Sequence, residues 1–317
     1  MVISARKLAK MPDLLQIGGI TDTMQERLAA AFTIHQLDAF DADKITHVVT
    51  NGHDGVNPDL MASLTNLKVI SGYGVGYDAV DANEAARRGI IVTHTPNVLN
   101  EEVATTALLL MLSCYREVLR DDEYLRSGEW EAKGNAPLTR SADNQTVGIL
   151  GLGRIGQAIA DKLAPWNAKI LYHTRTKKVL PYTYYDDLTA MARDCDVLIC
   201  ITPGGPSTNK IVNAEVMEAL GPKGTLINVS RGSVVDEMAM IEALKSGKLG
   251  WAGLDVFEEE PKVSQALRDL PNTVLLPHVG SGTMETRAAM GALVVDNLLQ
   301  NLKDGTVISP VPECAGL

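Results

Sequence analysis

A glycine-rich turn between an apolar strand and an amphipathic helix is the feature that most restricts how this chain can fold. Val147–Leu150 predicts a strand, Ile155–Ala164 predicts a helix, and the turn between them reads Gly-x-Gly-x-x-Gly. In such a unit the first glycine allows the tight turn, the second lets a pyrophosphate approach the backbone, and the third permits close helix packing. A turn without a ligand is the weaker interpretation, because both flanking elements are present. The predicted cofactor contacts in this turn are Gly151, Gly153, Arg154, Ile155 and Gly156.

Short apolar runs alternate with helical patterns along the rest of the chain, which predicts an α/β fold with mostly parallel sheets. The 317 residues suit two domains. A second α/β unit starts at Thr146, and the last helix is too short to stand alone, so we expect it to return to the first domain. The predicted strands are Asp13–Ile17, His47–Thr50, Val69–Ser71, Ile90–Thr93, Val147–Leu150, Lys169–His173, Val197–Ile201, Thr225–Asn228, Gly253–Val256 and Val274–Leu276. The predicted helices are Asp22–Ala31, Asn57–Leu64, Asp81–Arg88, Glu101–Glu117, Ile155–Ala164, Ala214–Leu220, Glu237–Ser246 and Met284–Leu302, with a long loop predicted over Ser127–Asn144.

The charge and cysteine content restrict the partners and the compartment. A net charge of −10 makes the chain a poor binder of polyphosphates, so we expect no nucleic-acid partner. The four cysteines form no Cys-x-x-Cys pair, which favours a reduced, cytoplasmic chain without a metal site. We find no signal peptide and no apolar run of spanning length, so no membrane is expected.

The segment after the second strand of the cofactor unit indicates which dinucleotide is bound. An NAD site places Asp or Glu at this point to hold the ribose 2′-hydroxyl. Here the sequence runs Thr174-Arg175-Thr176-Lys177-Lys178, without an acid. A carboxylate would repel a 2′-phosphate, whereas Arg175 forms charge-assisted hydrogen bonds to it. We therefore predict NADP(H), bound through Thr174, Arg175 and Thr176; a solvated basic loop is the alternative.

Together with further ordered segments, the glycine turn resembles the D-isomer-specific 2-hydroxyacid dehydrogenase family. Within that family, the loop after the second strand is most similar to that of NADP(H)-dependent glyoxylate/hydroxypyruvate reductases. The matching segments cover most of the cofactor half and extend into the first half. They are Gly151-Leu-Gly-Arg-Ile-Gly156, Asn228-Val-Ser-Arg231-Gly-Ser-Val-Val-Asp-Glu, Gly253-Leu-Asp255-Val-Phe-Glu-Glu-Glu260-Pro261, Leu276-Pro-His278-Val-Gly-Ser-Gly and Gly72-Tyr-Gly-Val-Gly-Tyr-Asp78.

The resemblance implies an architecture and a set of domain boundaries. The family fold has two Rossmann-like, doubly wound parallel-sheet domains with a cleft between them. By this resemblance, residues 1–98 and 287–317 form a discontinuous, flavodoxin-like substrate-binding domain. Residues 99–286 form the NADP-binding Rossmann domain. The family also implies a homodimer, which the apolar helix Glu101–Glu117 favours.

The resemblance further implies three catalytic residues. Arg231 would hold the carboxylate of a 2-keto acid, since a guanidinium matches a carboxylate in shape and charge. His278 would give a proton to the carbonyl oxygen as the hydride arrives, and Glu260 would orient its imidazole. The backbone amides of Val75 and Gly76 would grip the same carboxylate. The remaining cofactor contacts implied by the family are Val229, Ser230, Asp255 and Gly280.

The expected activity is therefore reduction of a small 2-keto acid, such as glyoxylate or hydroxypyruvate, by hydride transfer from NADPH. Two alternatives stay open at the level of sequence. One is an NAD-dependent dehydrogenase with a broad range of D-2-hydroxy acids. The other is a nucleotide-sensing binding protein or corepressor, because a fold alone does not fix function.

Overall fold

The computed structural model describes residues 11–317 and divides them into two compact units. The first unit contains residues up to Leu99 together with Met284–Leu317, and the second is Asn100–Thr283. The chain thus leaves the first unit once and returns with its last helix. Residues 1–10, where the predicted first domain starts and where no signal peptide was predicted, lie outside the described residues.

Strands and helices alternate throughout residues 11–317. The strands are β1 (Asp13–Gln16), β2 (Thr33–Gln36), β3 (Ile45–Asn51), β4 (Val69–Tyr73), β5 (Ile91–Thr93), β6 (Thr146–Leu150), β7 (Lys169–His173), β8 (Thr183–Tyr185), β9 (Val197–Cys200), β10 (Thr225–Asn228), β11 (Trp251–Leu254) and β12 (Thr273–Leu275). The helices are α1 (Asp22–Ala29), α2 (Pro58–Ser63), α3 (Ala82–Arg87), α4 (Asn100–Arg116), α5 (Val118–Arg126), α6 (Glu129–Lys133), α7 (Arg154–Leu163), α8 (Leu188–Arg193), α9 (Ala214–Leu220), α10 (Glu237–Ser246), α11 (Gln265–Arg268) and α12 (Met284–Asp304).

The first unit is built on a five-stranded parallel sheet in the order β2-β1-β3-β4-β5. Its central strands are apolar, and Leu14, Val48 and Ile70 are fully buried. The returning helix α12 packs against β4 and α1. The Ser71 hydroxyl donates a hydrogen bond of 3.1 Å to the Val294 carbonyl of that helix. These contacts make the C-terminal helix part of the first unit.

The second unit is built on a seven-stranded parallel sheet in the order β12-β11-β10-β9-β6-β7-β8. The order reverses between β6 and β9, so two neighbouring strands send their connections in opposite directions. Open α/β sheets bind ligands in the crevice at such a switch point. The predicted α/β class with two parallel-sheet, Rossmann-like units is confirmed.

The sequence did not predict β2, β8, α5, α6, α8 or α11. Of these, α8 buries Leu188, Met191 and Ala192 and α11 buries Leu267, whereas the other four contain no buried residue. β2 and β8 are the outer strands of their sheets, and neither contains a fully buried residue. The predicted loop over Ser127–Asn144 was wrong in part, because Glu129–Lys133 forms α6. Neither α5 nor α6 buries a side chain, so their sequences lack the apolar stripe from which a helix is predicted.

No helix within residues 11–317 is both long enough and apolar enough to cross a bilayer. The helix α12 is the longest, with 21 residues, but charged side chains occur along it. All four cysteines of the chain are buried and free, as expected for small apolar side chains in a core.

His47 on β3 is a buried histidine that packs inside the first unit. Its Nε2 donates a hydrogen bond of 3.1 Å to the Asn301 side-chain oxygen, and its Nδ1 lies 2.8 Å from the Thr46 hydroxyl. Its ring also meets the edge of Phe32. Burial lowers the pKa of His47 from 6.5 to about 4, since an imidazolium is poorly solvated in the core.

We expect this histidine to make the first unit sensitive to acid. The unfolded chain binds a proton at His47 near pH 6.5 and the folded chain only near pH 4, so stability is lost as the pH falls through that range. The loss between pH 7 and pH 4.5 should be about 2–3 kcal/mol. Urea unfolding at both pH values measures it. His47→Gln should unfold with a smaller pH dependence, and an unchanged dependence would contradict the assignment.

Candidate active site

The glycine turn lies at the switch point of the second sheet. Gly151 follows β6 with a φ of +99°, and a Cβ there would lie 2.8 Å from the Ile201 carbonyl oxygen, just after β9. At Gly156 a Cβ would lie 2.4 Å from the Gly151 oxygen. Glycine is therefore required at both positions, the first for its left-handed backbone and both for the close approach of the chain.

Gly153 differs from the other two glycines because the space in front of it is open. A Cβ there would meet nothing within 4 Å. Gly153 is the N-cap of α7, and no side chain caps this helix end. The first amides of α7, including those of Arg154 and Ile155, therefore lie at an uncapped helix N-terminus. Such an end favours an anion, so the turn fits a dinucleotide pyrophosphate.

The basic turn, Thr174–Lys178, follows β7 beside the glycine turn. The Gly151 amide donates a hydrogen bond of 3.0 Å to the His173 carbonyl and so joins the two turns. Arg175 and Thr176 are exposed, and the Thr174 hydroxyl donates to the Thr176 carbonyl at 2.8 Å. The turn contains no acid. An exposed guanidinium at this place suits the 2′-phosphate of NADP and not a bare ribose.

Arg231 is positioned by a turn at the end of β10. The last residue of that strand, Asn228, is buried and accepts hydrogen bonds from the Ser230 amide at 3.1 Å and the Ser230 hydroxyl at 2.7 Å. The Asn228 side-chain nitrogen donates to the Arg231 carbonyl at 2.9 Å. One guanidinium nitrogen of Arg231 donates to the Ser230 carbonyl at 2.8 Å. Asn228 thus fixes the backbone of the arginine segment, a role that the sequence analysis missed.

The arginine segment also packs directly on the glutamate segment. A Cβ at Gly232 would lie 1.9 Å from the Phe257 carbonyl carbon and oxygen and 2.4 Å from the Glu258 nitrogen. Only glycine allows this approach. Gly232, the residue after Arg231, therefore contacts the backbone that leads to Glu260. The two segments follow neighbouring strands, β10 and β11.

Asp255 joins the ends of β11 and β12. Its buried carboxylate accepts two hydrogen bonds of 2.7 Å, one from the Val279 amide and one from the Gly280 amide. Its carbonyl accepts another, 2.9 Å long, from the His278 amide. Burial raises the pKa of the Asp255 carboxyl above its ordinary value, while the two amides and nearby His278 oppose that rise. The side chain thus holds the histidine segment in place.

His278 and Glu260 are hydrogen-bonded to each other at this sheet edge. The His278 Nδ1 donates to Glu260 Oε2 at 2.6 Å, and the Phe257 amide donates to Glu260 Oε1 at 3.0 Å. The Glu260 side chain is 17% exposed and that of His278 46% exposed. Because the carboxylate takes Nδ1–H, Nε2 is the imidazole atom that can exchange a proton with a bound molecule.

His278 has an unusual backbone conformation for a side chain of its size. Its φ is +53°, in the left-handed region that few non-glycine residues adopt. Such conformations persist only where the surroundings enforce them, and they cluster at functional sites. Here the enforcing contacts are the three hydrogen bonds from His278, Val279 and Gly280 to Asp255.

Arg231, Asp255 and His278 each follow one of three neighbouring strands. β10, β11 and β12 are adjacent and parallel, with Asn228 opposite Leu254 and Leu254 opposite Leu275. Neighbouring strands lie about 4.8 Å apart, so the ends of β10 and β12 are separated by about 10 Å. The structure therefore brings the predicted guanidinium, carboxylate and imidazole segments to one edge of one sheet.

Val75 and Gly76 belong to the other unit and follow β4. The His94 imidazole nitrogen Nδ1 donates to the Val75 carbonyl at 2.9 Å, and the Thr95 amide donates to the Gly74 carbonyl at 2.8 Å. The carbonyls of Gly74 and Val75 thus accept hydrogen bonds from within the first unit. No hydrogen bond from the amide of Val75 or Gly76 occurs within residues 11–317. Amides in this condition are suited to an anionic ligand.

Comparison with known proteins agrees with this arrangement. A family model for the NAD binding domain of the D-isomer specific 2-hydroxyacid dehydrogenases matches residues 108–280. A 2-ketogluconate reductase of Gluconobacter oxydans is 40% identical over 96% of this chain and 100% of its own length. A glyoxylate/hydroxypyruvate reductase A of Arabidopsis thaliana is 44% identical over 85% of this chain and 86% of its own.

A solved structure is also similar to the chain. It is an NADPH-dependent glyoxylate/hydroxypyruvate reductase of Sinorhizobium meliloti, in complex with NADP and malonate. The TM-score is 0.91 and the identity 45%, with 96% of this chain and 98% of that one covered. The resemblance predicted from the ordered motifs is confirmed, and this chain belongs to the D-isomer specific 2-hydroxyacid dehydrogenase family.

Proposed function

We propose that this protein is an NADP(H)-dependent reductase that converts small 2-keto acids, with glyoxylate and hydroxypyruvate as the leading substrates, into 2-hydroxy acids. The observation that carries the proposal is the Glu260–His278 pair, held at 2.6 Å beside the arginine segment. A proton donor next to a carboxylate-binding cation is what 2-keto acid reduction requires. The names of the relatives support the same substrate class.

The proton in this reaction comes from His278. NADPH bound at the glycine turn would supply the hydride for the carbonyl carbon, and NADP⁺ would be the oxidised product. His278 Nε2 gives a proton to the carbonyl oxygen in the same reduction, so the keto group becomes a hydroxyl. Glu260 accepts the Nδ1–H hydrogen bond and thereby holds the ring in one orientation. In the reverse direction the neutral imidazole accepts the proton.

The substrate carboxylate is held by cations and amides. The guanidinium of Arg231 pairs with it and also polarises the carbonyl as negative charge develops on the oxygen. In the first unit, the amides of Val75 and Gly76 are the donors proposed for an anionic ligand. This local arrangement is needed because the net charge of the chain, −10, would otherwise repel an anionic substrate.

The cofactor is proposed to lie along the edge of the second sheet. The glycine turn would bind the pyrophosphate, and Thr174, Arg175 and Thr176 would bind the adenosine 2′-phosphate. From β7 to β10 there are three strand intervals, about 14 Å in total, which an extended dinucleotide spans. The nicotinamide end would then meet the predicted contacts Val229, Ser230, Asp255 and Gly280.

Both alternatives from the sequence analysis are less well supported. An NAD-dependent enzyme would be expected to have an acid at the end of β7, and Thr174–Lys178 has none. A binding protein or corepressor need not keep the Arg231, Glu260 and His278 set, and this chain has all three. The organised pair therefore favours an enzyme, and the basic turn favours NADP(H).

We also propose roles for the units and an assembly. The first unit would bind substrate and the second NADP(H). A homodimer is supported by an apolar surface on the second unit, where several large side chains are half exposed. They are Leu109, Val118, Leu119, Leu125 and Trp130. Four buried, free cysteines suit the reducing cytoplasm.

A substrate panel tests this function directly. Purified protein should oxidise NADPH with glyoxylate or hydroxypyruvate, and kcat/KM should be at least about tenfold lower with NADH, since the basic turn provides charge for a 2′-phosphate. Absorbance at the nicotinamide band follows both reactions. Absence of turnover with every small 2-keto acid would remove the reductase assignment. Equal use of NADH would remove the cofactor preference alone.

Two substitutions test the catalytic roles. His278→Gln should lower kcat by about 10²–10⁴-fold, because it removes the proton donor. Arg231→Ala should lower kcat/KM by about 10²–10³-fold, because it removes the carboxylate anchor and the polarising charge. Steady-state kinetics with NADPH measures both.

Matched control variants come from elsewhere in the chain. His35→Gln changes a histidine on an outer strand that pairs with Asp13, and Arg193→Ala removes an exposed cation of α8. Both controls should stay within about twofold of the parent kcat/KM, because neither side chain belongs to the proposed site. If His278→Gln were as active as His35→Gln, His278 would not be the acid.

A further inference from the structure

The basic turn is attached to the protein by a buried tyrosine that precedes it. Tyr172, on β7, is fully buried, and its hydroxyl makes two hydrogen bonds to one residue of the turn. It accepts from the Lys178 amide at 2.9 Å and donates to the Lys178 carbonyl at 3.0 Å. Both peptide groups of Lys178 are therefore bound to a side chain that the core holds fixed.

A second tyrosine fixes the start of the same turn. Tyr184 lies opposite Tyr172 in the β7–β8 pair, and the two ring centres are 5.3 Å apart. The Tyr184 hydroxyl donates to the Thr174 carbonyl at 3.3 Å. The backbones of the first and last residues of the basic turn are thus hydrogen-bonded to tyrosine side chains. Arg175, Thr176 and Lys177 between them are exposed.

Lys178 connects the basic turn to the glycine turn. Its Nζ donates a hydrogen bond of 2.5 Å to the Leu152 carbonyl, between Gly151 and Gly153. The side chain is half-buried, in contrast to the exposed neighbour Lys177. An ammonium has three donors, so the bond to Leu152 leaves two for an anion next to this carbonyl. The bond to Leu152 therefore fixes the ammonium of Lys178 at the base of the basic turn, where its remaining donors are proposed to serve the 2′-phosphate.

We propose that Tyr172 is a positioning residue for NADP(H) specificity, acting through Lys178 to hold the basic turn in the shape that receives a 2′-phosphate. This inference rests on the proposed function. It assigns cofactor discrimination partly to a side chain that is buried behind the turn and touches no cofactor. Lys178, and not Lys177, is the second cation of the site beside Arg175.

The physical reason is the cost of ordering a flexible cationic turn. A loop with an arginine and two lysines loses rotamer and backbone freedom when it closes on a phosphate. If the turn is already ordered in the free protein, binding of the phosphate loses less conformational entropy and is therefore tighter. A 5′-phosphate and adenine do not need the basic turn, so only ligands with a 2′-phosphate should sense the loss of the Tyr172 hydroxyl.

The test compares two nucleotides that differ by the 2′-phosphate. Calorimetry with 2′,5′-ADP and with 5′-AMP measures binding without turnover. For Tyr172→Phe, which keeps the ring and removes the hydroxyl, the Kd of 2′,5′-ADP should rise about tenfold. The Kd of 5′-AMP should stay within about twofold. Steady-state kinetics should show the same split, with kcat/KM reduced for NADPH and unchanged for NADH.

Three further variants make the result interpretable. Tyr124→Phe is the matched control, since its hydroxyl also donates to a backbone carbonyl, that of Gly134 at 2.9 Å, far along the chain from the turn; both nucleotides should bind as before. Arg175→Ala, a direct contact, should weaken 2′,5′-ADP at least as much as Tyr172→Phe. Lys178→Met should show the same selective loss and serves if Tyr172→Phe does not fold.

The outcomes separate the two claims. Equal weakening of both nucleotides, or of neither, in Tyr172→Phe and Lys178→Met would overturn the positioning role while leaving NADP(H) use intact. A parent protein that binds 5′-AMP as tightly as 2′,5′-ADP would overturn the NADP(H) assignment itself. Selective loss in both variants, with Tyr124→Phe unchanged, is the result that the structure predicts.

Discussion

The two hydrogen bonds that the Asp255 carboxylate accepts from the Val279 and Gly280 amides determine the geometry of the candidate site. A buried carboxylate is costly unless its oxygens are hydrogen-bonded, and these two bonds of 2.7 Å satisfy it. In return they fix the backbone after β12, where His278 has a left-handed conformation. The imidazole can then meet Glu260 at 2.6 Å. Without this anchor, neither the ring position nor the pairing would be defined.

The rest of the arrangement follows from a parallel sheet. Parallel strands end at the same edge, so residues distant in the chain become neighbours there. The glycine turn and the basic turn follow β6 and β7, and the arginine, aspartate and histidine segments follow β10, β11 and β12. An acidic chain thus places its cations where two anions, a phosphate and a carboxylate, are proposed to bind.

Most of the elements that bury apolar side chains were predicted from the sequence. The exceptions are α8, which buries Leu188, Met191 and Ala192, and α11, which buries Leu267; helices of six and four residues are too short to show a helical period. The glycine turn, the central strands and the residue types of the site are local signals. β2 and β8 are outer strands with polar sequences, and α5 and α6 bury nothing, so periodicity had nothing to detect. The bonds of Asn228 and Tyr172 join side chains to backbone through tertiary contacts. No local pattern encodes them, although a polar residue ending an apolar strand is a usable signal.

The most direct test of the account is whether Glu260 acts only through His278. A double-mutant cycle measures kcat/KM for Glu260→Gln, His278→Gln and the double variant. If the carboxylate serves to orient the imidazole, the double variant should be no slower than His278→Gln alone. Losses that multiply in the double variant would show two independent roles and contradict the proposed proton donor pair.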